Sequence, residues 1–244
     1  MIVFGVIIAG GVFMMGMGMK EESPKTCLKP PVIELNMPHI ETARQKELKG
    51  YKDINDDFLG LLSVGEVIKD EIIVTDHDNN TQYITTDFYT GEYASHGTSW
   101  LDCQNDLDDQ NLIMYGHYVY PFRRKEGYPL CFTMLHELKD ENNYEANKTV
   151  TLEMIGETRT YEVVYVYYFD QTDPKGRYIY PDYRDNEDGY TLDDLNAEVQ
   201  ELVFYDTGLV LTDEDRILSL QTCVEGNDDL RLIVMCRQTA VTCD

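Results

Sequence analysis

From about residue 58 to the C-terminus, short apolar runs rich in β-branched and aromatic residues alternate with turn signals. Phe58–Leu62, Glu71–Val74, Gln82–Thr85, Leu112–Tyr115, Thr149–Ile155 and Thr160–Phe169 read as strands, followed by Leu209–Leu211, Ile217–Thr222 and Leu230–Cys236. Asp78-Asn79-Asn80 has turn composition, and Ile155-Gly156-Glu157 joins two long runs as a hairpin. No single short strand buries enough surface alone. Many of them in succession predict a mainly β domain, closed as a barrel or stacked as a sandwich.

One segment breaks the pattern. Between Tyr190 and Phe204, Leu192, Leu195, Val199 and Leu202 share one helical face. Thr191 suits the N-cap, and Asp193 and Asp194 suit the first turn, so an amphipathic helix is expected over 191–204. At the other end of the chain, residues 1–19 carry no charged side chain. About 20 apolar residues span a bilayer, so this stretch predicts a membrane anchor. A cleaved signal peptide competes, but there is no basic leading region and no small-x-small cleavage site near Lys20-Glu21-Glu22-Ser23-Pro24. Residues 20–54 then form a proline-containing spacer (Pro24, Pro30, Pro31, Pro38) followed by short helices, and residues 55–244 form the folded domain.

Composition excludes some partners. The chain carries 20 basic and 45 acidic residues, a formal net charge of −25, which opposes nucleic-acid binding because phosphates need a clustered positive surface. The densest basic cluster is Arg123-Arg124-Lys125, in a stretch that reads as a solvated loop. Six cysteines (Cys27, Cys103, Cys131, Cys223, Cys236, Cys243) match no zinc template and form no CxxC pair. Cys236 lies inside an apolar run and reads as a core residue. The pairing of Cys27, Cys103, Cys131 and Cys243 stays open.

Three polar residues stand at strand ends. Ser219-Leu220-Gln221-Thr222-Cys223 closes one run, Arg231 opens the next, and Asn111-Leu112-Ile113-Met114-Tyr115-Gly116 ends in His117. A thiolate is the nucleophile, and a neighbouring imidazole can take the thiol proton and return it to a leaving amine. A guanidinium can stabilise the oxyanion formed between these steps. If the runs around Cys223 and Arg231 are antiparallel neighbours, Arg231 lies beside the thiol, whereas Arg237 lies about 20 Å further along the strand. His39, His77, His96 and His136 have no obvious partner in the sequence.

These segments resemble the sortases, cysteine transpeptidases anchored to the membranes of Gram-positive bacteria, and look most like class B. The family's Thr-Leu-x-Thr-Cys signature is met by Ser219-Leu220-Gln221-Thr222-Cys223, with Ser in the first position. Its catalytic Arg and His fall on Arg231 and on His117 of Tyr115-Gly116-His117. The helix before the Cys strand and the helical N-terminal segment also fit class B. Two features depart: Tyr118 stands where class B members commonly have Asn, and Val119–Cys131 looks like an insertion.

The resemblance implies a closed sortase-type barrel of about eight strands. It implies a catalytic trio of Cys223, His117 and Arg231, with Thr222 and the Val224 backbone in substrate binding, and no metal or cofactor. The implied substrates are secreted proteins with a C-terminal sorting motif, of Asn-Pro-x-Thr-x type. The implied acceptor is an amine of a cell-wall precursor, a cross-bridge or a pilin Lys, and the catalytic domain would lie outside the cell membrane. A hydrolytic cysteine peptidase with the same trio, or a non-catalytic surface-binding β-domain, is the alternative.

Overall fold

The computed structural model describes residues 42–77, 80–124, 126–173 and 191–243. Residues 1–19 and the spacer prolines lie outside these, as do Cys27, His39, Lys125 and the start of the Asp78-Asn79-Asn80 turn. Among the described residues no helix is long and apolar enough to cross a membrane.

Eight strands close a barrel: β1 (Phe58–Val64), β2 (Ile68–Thr75), β3 (Ser99–Leu101), β4 (Asn111–Tyr115), β5 (Thr149–Met154), β6 (Glu157–Asp170), β7 (Ile217–Val224) and β8 (Asn227–Cys243). They run in the order β1-β2-β3-β4-β7-β8-β6-β5, and β5 returns to β1. The barrel choice of the two β architectures is therefore realised, and closure leaves no open sheet edge. Helix α1 (Ala43–Ile54) precedes the barrel, and α2 (Tyr144–Asn147) and α3 (Leu192–Val199) interrupt it. Three 3₁₀ helices, η1 (Pro121–Arg123), η2 (Phe132–Lys139) and η3 (Glu141–Asn143), follow β4.

Strand alternation sorts the apolar residues into three packed groups. Inward-facing Leu62, Leu112, Met114, Leu218, Leu220, Leu232 and Val234 fill the barrel. On the outside, α1 covers β1–β3 through Leu48, Leu61, Val74 and Trp100. On the far side, α3 covers β6–β8 through Leu192, Leu195, Val199, Tyr167, Ile233 and Met235. Each fully buried Leu or Val of α3 contributes roughly 1.5–3 kcal/mol to that attachment. Between the two covered faces lies the outer surface of the β4 and β7 ends.

Three expectations need correction. Gln82–Thr85 is a turn, because side chains take over the backbone bonds that a ladder would supply. Asp76 Oδ2 accepts from Gln82 N (3.0 Å), and the buried Tyr83 donates its hydroxyl to Asp57 (2.6 Å). Leu209–Leu211 is not a strand. The helix ends at Val199 instead of 204, since Phe204 N turns to Val166 O (2.9 Å) and Val203 bridges to Tyr167. Leu202 is consequently exposed rather than on the packed face. The start of that helix follows the sequence: Thr191 and Asp194 form a reciprocal capping box.

Candidate active site

Strand β7 carries Cys223 near its end, between two partners. On one side β7 runs antiparallel to β8, in a register that sets Cys223 opposite Arg231. On the other side it runs parallel to β4, pairing Gln221 with Tyr115, and the Gly116 N–H donates to Gln221 O (3.1 Å). Carried two residues further, that register sets His117 level with Cys223. Residues paired across a ladder share a face. Cys223 and Arg231 therefore share the outer face, and the alternation of β4, continued past its end, turns His117 to the same face, in the gap between the α1 and α3 coverings.

The imidazole is tightly seated. Gly116 lacks a side chain for a packing reason: a Cβ there would lie 2.4 Å from the Phe132 ring. His117 Nε2 donates to Ile84 O (2.7 Å), which leaves Nδ1 as the proton-accepting nitrogen of the neutral ring. Burial pushes the His117 pKa below its ordinary 6.5, so the ring is neutral at pH 7 and able to accept a proton. The ring of Trp100 lies 6.5 Å away. Immediately after His117, Tyr118 bridges to Cys131, which holds an unusual backbone with φ of 46°.

The guanidinium is held differently. Arg231 Nη1 donates to Asp228 O (2.7 Å) and Leu230 O (2.8 Å), both at the start of β8. With its amide oxygen facing the guanidinium, Gln171 accepts from Nη1 (3.1 Å) and Nη2 (2.9 Å). Gln171 sits just past β6, so three strand ends converge on Arg231. Arg237, six residues further, is tied to Glu162 (3.7 Å) and pairs with Ile217, far from the thiol.

Thr222 and Val224 alternate inward from Cys223. The Thr222 side chain is 2% exposed, and its hydroxyl has no hydrogen-bond partner among the described residues. It lies on the inward face of β7, opposite to that of Cys223. Val224 is buried, and its backbone pairs with Asn227 across the Glu225-Gly226 turn. Ser219, at the first position of the signature, donates its buried hydroxyl to Asn111 Oδ1 (2.8 Å), locking β7 to β4. Cys131, Cys223 and Cys236 are free thiols, and Cys243 is in a disulfide. Cys236 is fully buried in the barrel, as its apolar run implies, and burial raises its pKa.

Several residues that shape the site carry no sequence signal of doing so. His136, on η2, donates Nε2–H to the Cys223 carbonyl (3.0 Å). Tyr118 donates its hydroxyl to Glu225 Oε2 (2.7 Å) and accepts from Arg124 Nη2 (3.1 Å). Arg124 also donates to Val119 O (2.9 Å), so part of the expected solvated basic loop is folded back onto the site. Only the three-dimensional return of η2 and of the 119–131 stretch brings these groups to β7.

The family model for the Sortase domain matches residues 73–239, more than half of the 244-residue chain. The chain belongs to the sortase family. Solved structures narrow this to class B. Sortase B of Clostridium perfringens is 27% identical, with a TM-score of 0.66 over 79% of this chain and 99% of that one. A Bacillus anthracis protein described as similar to sortase B is 25% identical, with a TM-score of 0.61 over 80% of this chain and 83% of that one. Staphylococcus aureus sortase B, at 21% identity, shares the fold with a TM-score of 0.65, covering 81% and 89% of the two chains. A search of curated proteins found no match. The chain is thus a class B sortase, a cysteine transpeptidase that joins proteins bearing a sorting signal to amine acceptors.

Proposed function

We propose that this sortase reads a motif of Asn-Pro-x-Thr-x type and works through Cys223, His117 and Arg231. The Cys223 sulfur attacks the Thr carbonyl carbon while His117 takes the thiol proton. The resulting oxyanion faces Arg231. As the C–N bond breaks, the imidazolium returns its proton to the departing amine, leaving a thioester on Cys223. An amine of a cell-wall precursor, a cross-bridge or a pilin Lys then attacks the thioester. It loses a proton to His117, forms the new amide and frees the thiol.

The pairing of Cys223 with Arg231, with His117 two residues past the end of β4, the other neighbour of β7, is what supports this reading. The assignment of residues 1–19 as an uncleaved anchor, with the catalytic domain outside the cell membrane, belongs to the same proposal and rests on their lack of charge.

A peptide panel tests the motif. Asn-Pro-x-Thr-x and Leu-Pro-x-Thr-Gly peptides are incubated with the enzyme, with and without an amine, and products are separated by chromatography. Preferred cleavage of the first class, with amine-dependent ligation, is expected. Preference for the second class would overturn the motif assignment. For the anchor, the full-length chain should sediment with membranes and a chain lacking residues 1–19 should not; equal sedimentation of both would contradict it.

A further inference from the structure

We infer that His136 is a positioning residue that fixes the peptide unit joining Cys223 to Val224, and thereby the place of the Cys223 sulfur. The inference rests on Cys223 being the nucleophile. His136 lies on η2, outside the proposed trio, and is hydrogen-bonded to the Cys223 carbonyl (3.0 Å). A carbonyl only accepts, so Nε2 carries the proton.

In a planar trans peptide the C=O and the following N–H point in opposite directions. The Gln221 carbonyl faces β4, where it accepts from Gly116, and the Cys223 carbonyl two residues later faces the same side, where β4 has ended. His136 supplies the donor that the ended strand cannot. Holding that carbonyl toward η2 turns the Val224 N–H toward the β8 side, where Arg231 stands opposite Cys223. There the N–H is paired with Asn227, so the peptide plane is held at both ends; without the bond to His136 the Cys223 end is released, and the sulfur moves with it.

The imidazole is itself braced. Its ring meets the Tyr118 ring edge-on at 4.9 Å, and the Tyr118 hydroxyl donates to Glu225, on the turn just past Val224. His136, Tyr118 and Glu225 form one wall of a cavity of about 230 Å³ beside the end of β7. A chain of contacts thus runs from the residue after His117, through His136, to both sides of the 223–224 peptide.

The test compares His136→Gln, which keeps a donor at nearly the same reach, with His136→Phe, which keeps the ring contact without one. Transpeptidation kinetics are measured on the full chain, alongside thermal unfolding. His136→Phe is expected to lower kcat about 10- to 100-fold, the scale of a misplaced reacting group, with KM changed less than about twofold. His136→Gln is expected to recover kcat to within about threefold. His136→Ala should track the Phe variant. If Phe retains kcat, if Gln is as poor as Phe, or if losses follow only the folded fraction, the inference is wrong. A parallel Cys223→Ala control separates the two readings: persisting turnover there removes the nucleophile assignment and the inference with it.

Discussion

The two sides of Cys223 are built on different plans. On the β4 side, everything that touches the catalytic strand is packed or covered: Gly116 against Phe132, His117 bonded to Ile84 O, and His136 bonded to Cys223 O. On the β8 side, Arg231 is held by main-chain carbonyls at the start of β8 and by the exposed Gln171. Buried groups with single partners tolerate little displacement, whereas exposed loop contacts re-form at small cost. The His117 side of the site is therefore closely held, and the Arg231 side adaptable.

Changes on the two sides should differ accordingly. The largest effect is expected for His117→Ala, which removes the base of the proposed trio and should lower kcat/KM by about 10³-fold or more. Arg231→Lys comes next. A point charge replaces a planar fork, and kcat/KM should fall about 10- to 100-fold with little change in melting temperature. If Arg231→Lys also unfolds the protein, the adaptable side has been misjudged. Gly116→Ala forces a methyl into the Phe132 ring and should cost about 1–3 kcal/mol, read by denaturant unfolding. Unchanged stability would show that the β4 side yields.

The pH dependence should be milder. In the unfolded chain an imidazole takes its proton near pH 6.5, but burial makes His117 and His136 take theirs only at lower pH. Their contribution to stability is thus intact above about 6.5 and is lost as pH falls through that region. The acid limb of kcat/KM should correspondingly lie below 6.5, and a limb above it would contradict a buried, neutral His117. The smallest effect is expected for Arg237→Ala, which loses a partly exposed ion pair worth less than about 1 kcal/mol and should leave kcat unchanged.

Much of this was legible in the chain, for identifiable reasons. Runs such as Thr160–Phe169 and Ile217–Thr222 read correctly because their β-branched and aromatic composition agrees with what a closed barrel needs. The capping box at Thr191–Asp194 marked the start of α3, but its end was set by a tertiary bond from Phe204 to Val166 that no local pattern encodes. The adjacency of Cys223 and Arg231 follows from one short hairpin and was therefore readable. His136 and Gln171 were not, since 87 residues separate His136 from the carbonyl it holds and Gln171 comes from a third strand end. Gln82–Thr85 misled for the same reason in reverse: a strand-like composition is claimed by Asp57 and Asp76 for a turn.

The most direct test of the account is intact-protein mass spectrometry of the full chain incubated with an Asn-Pro-x-Thr-x peptide, beside Cys223→Ala. The account predicts an acyl adduct that maps to Cys223, is absent from the variant and is discharged by an added amine. An adduct on another cysteine, or peptide cleavage that survives Cys223→Ala, would contradict it.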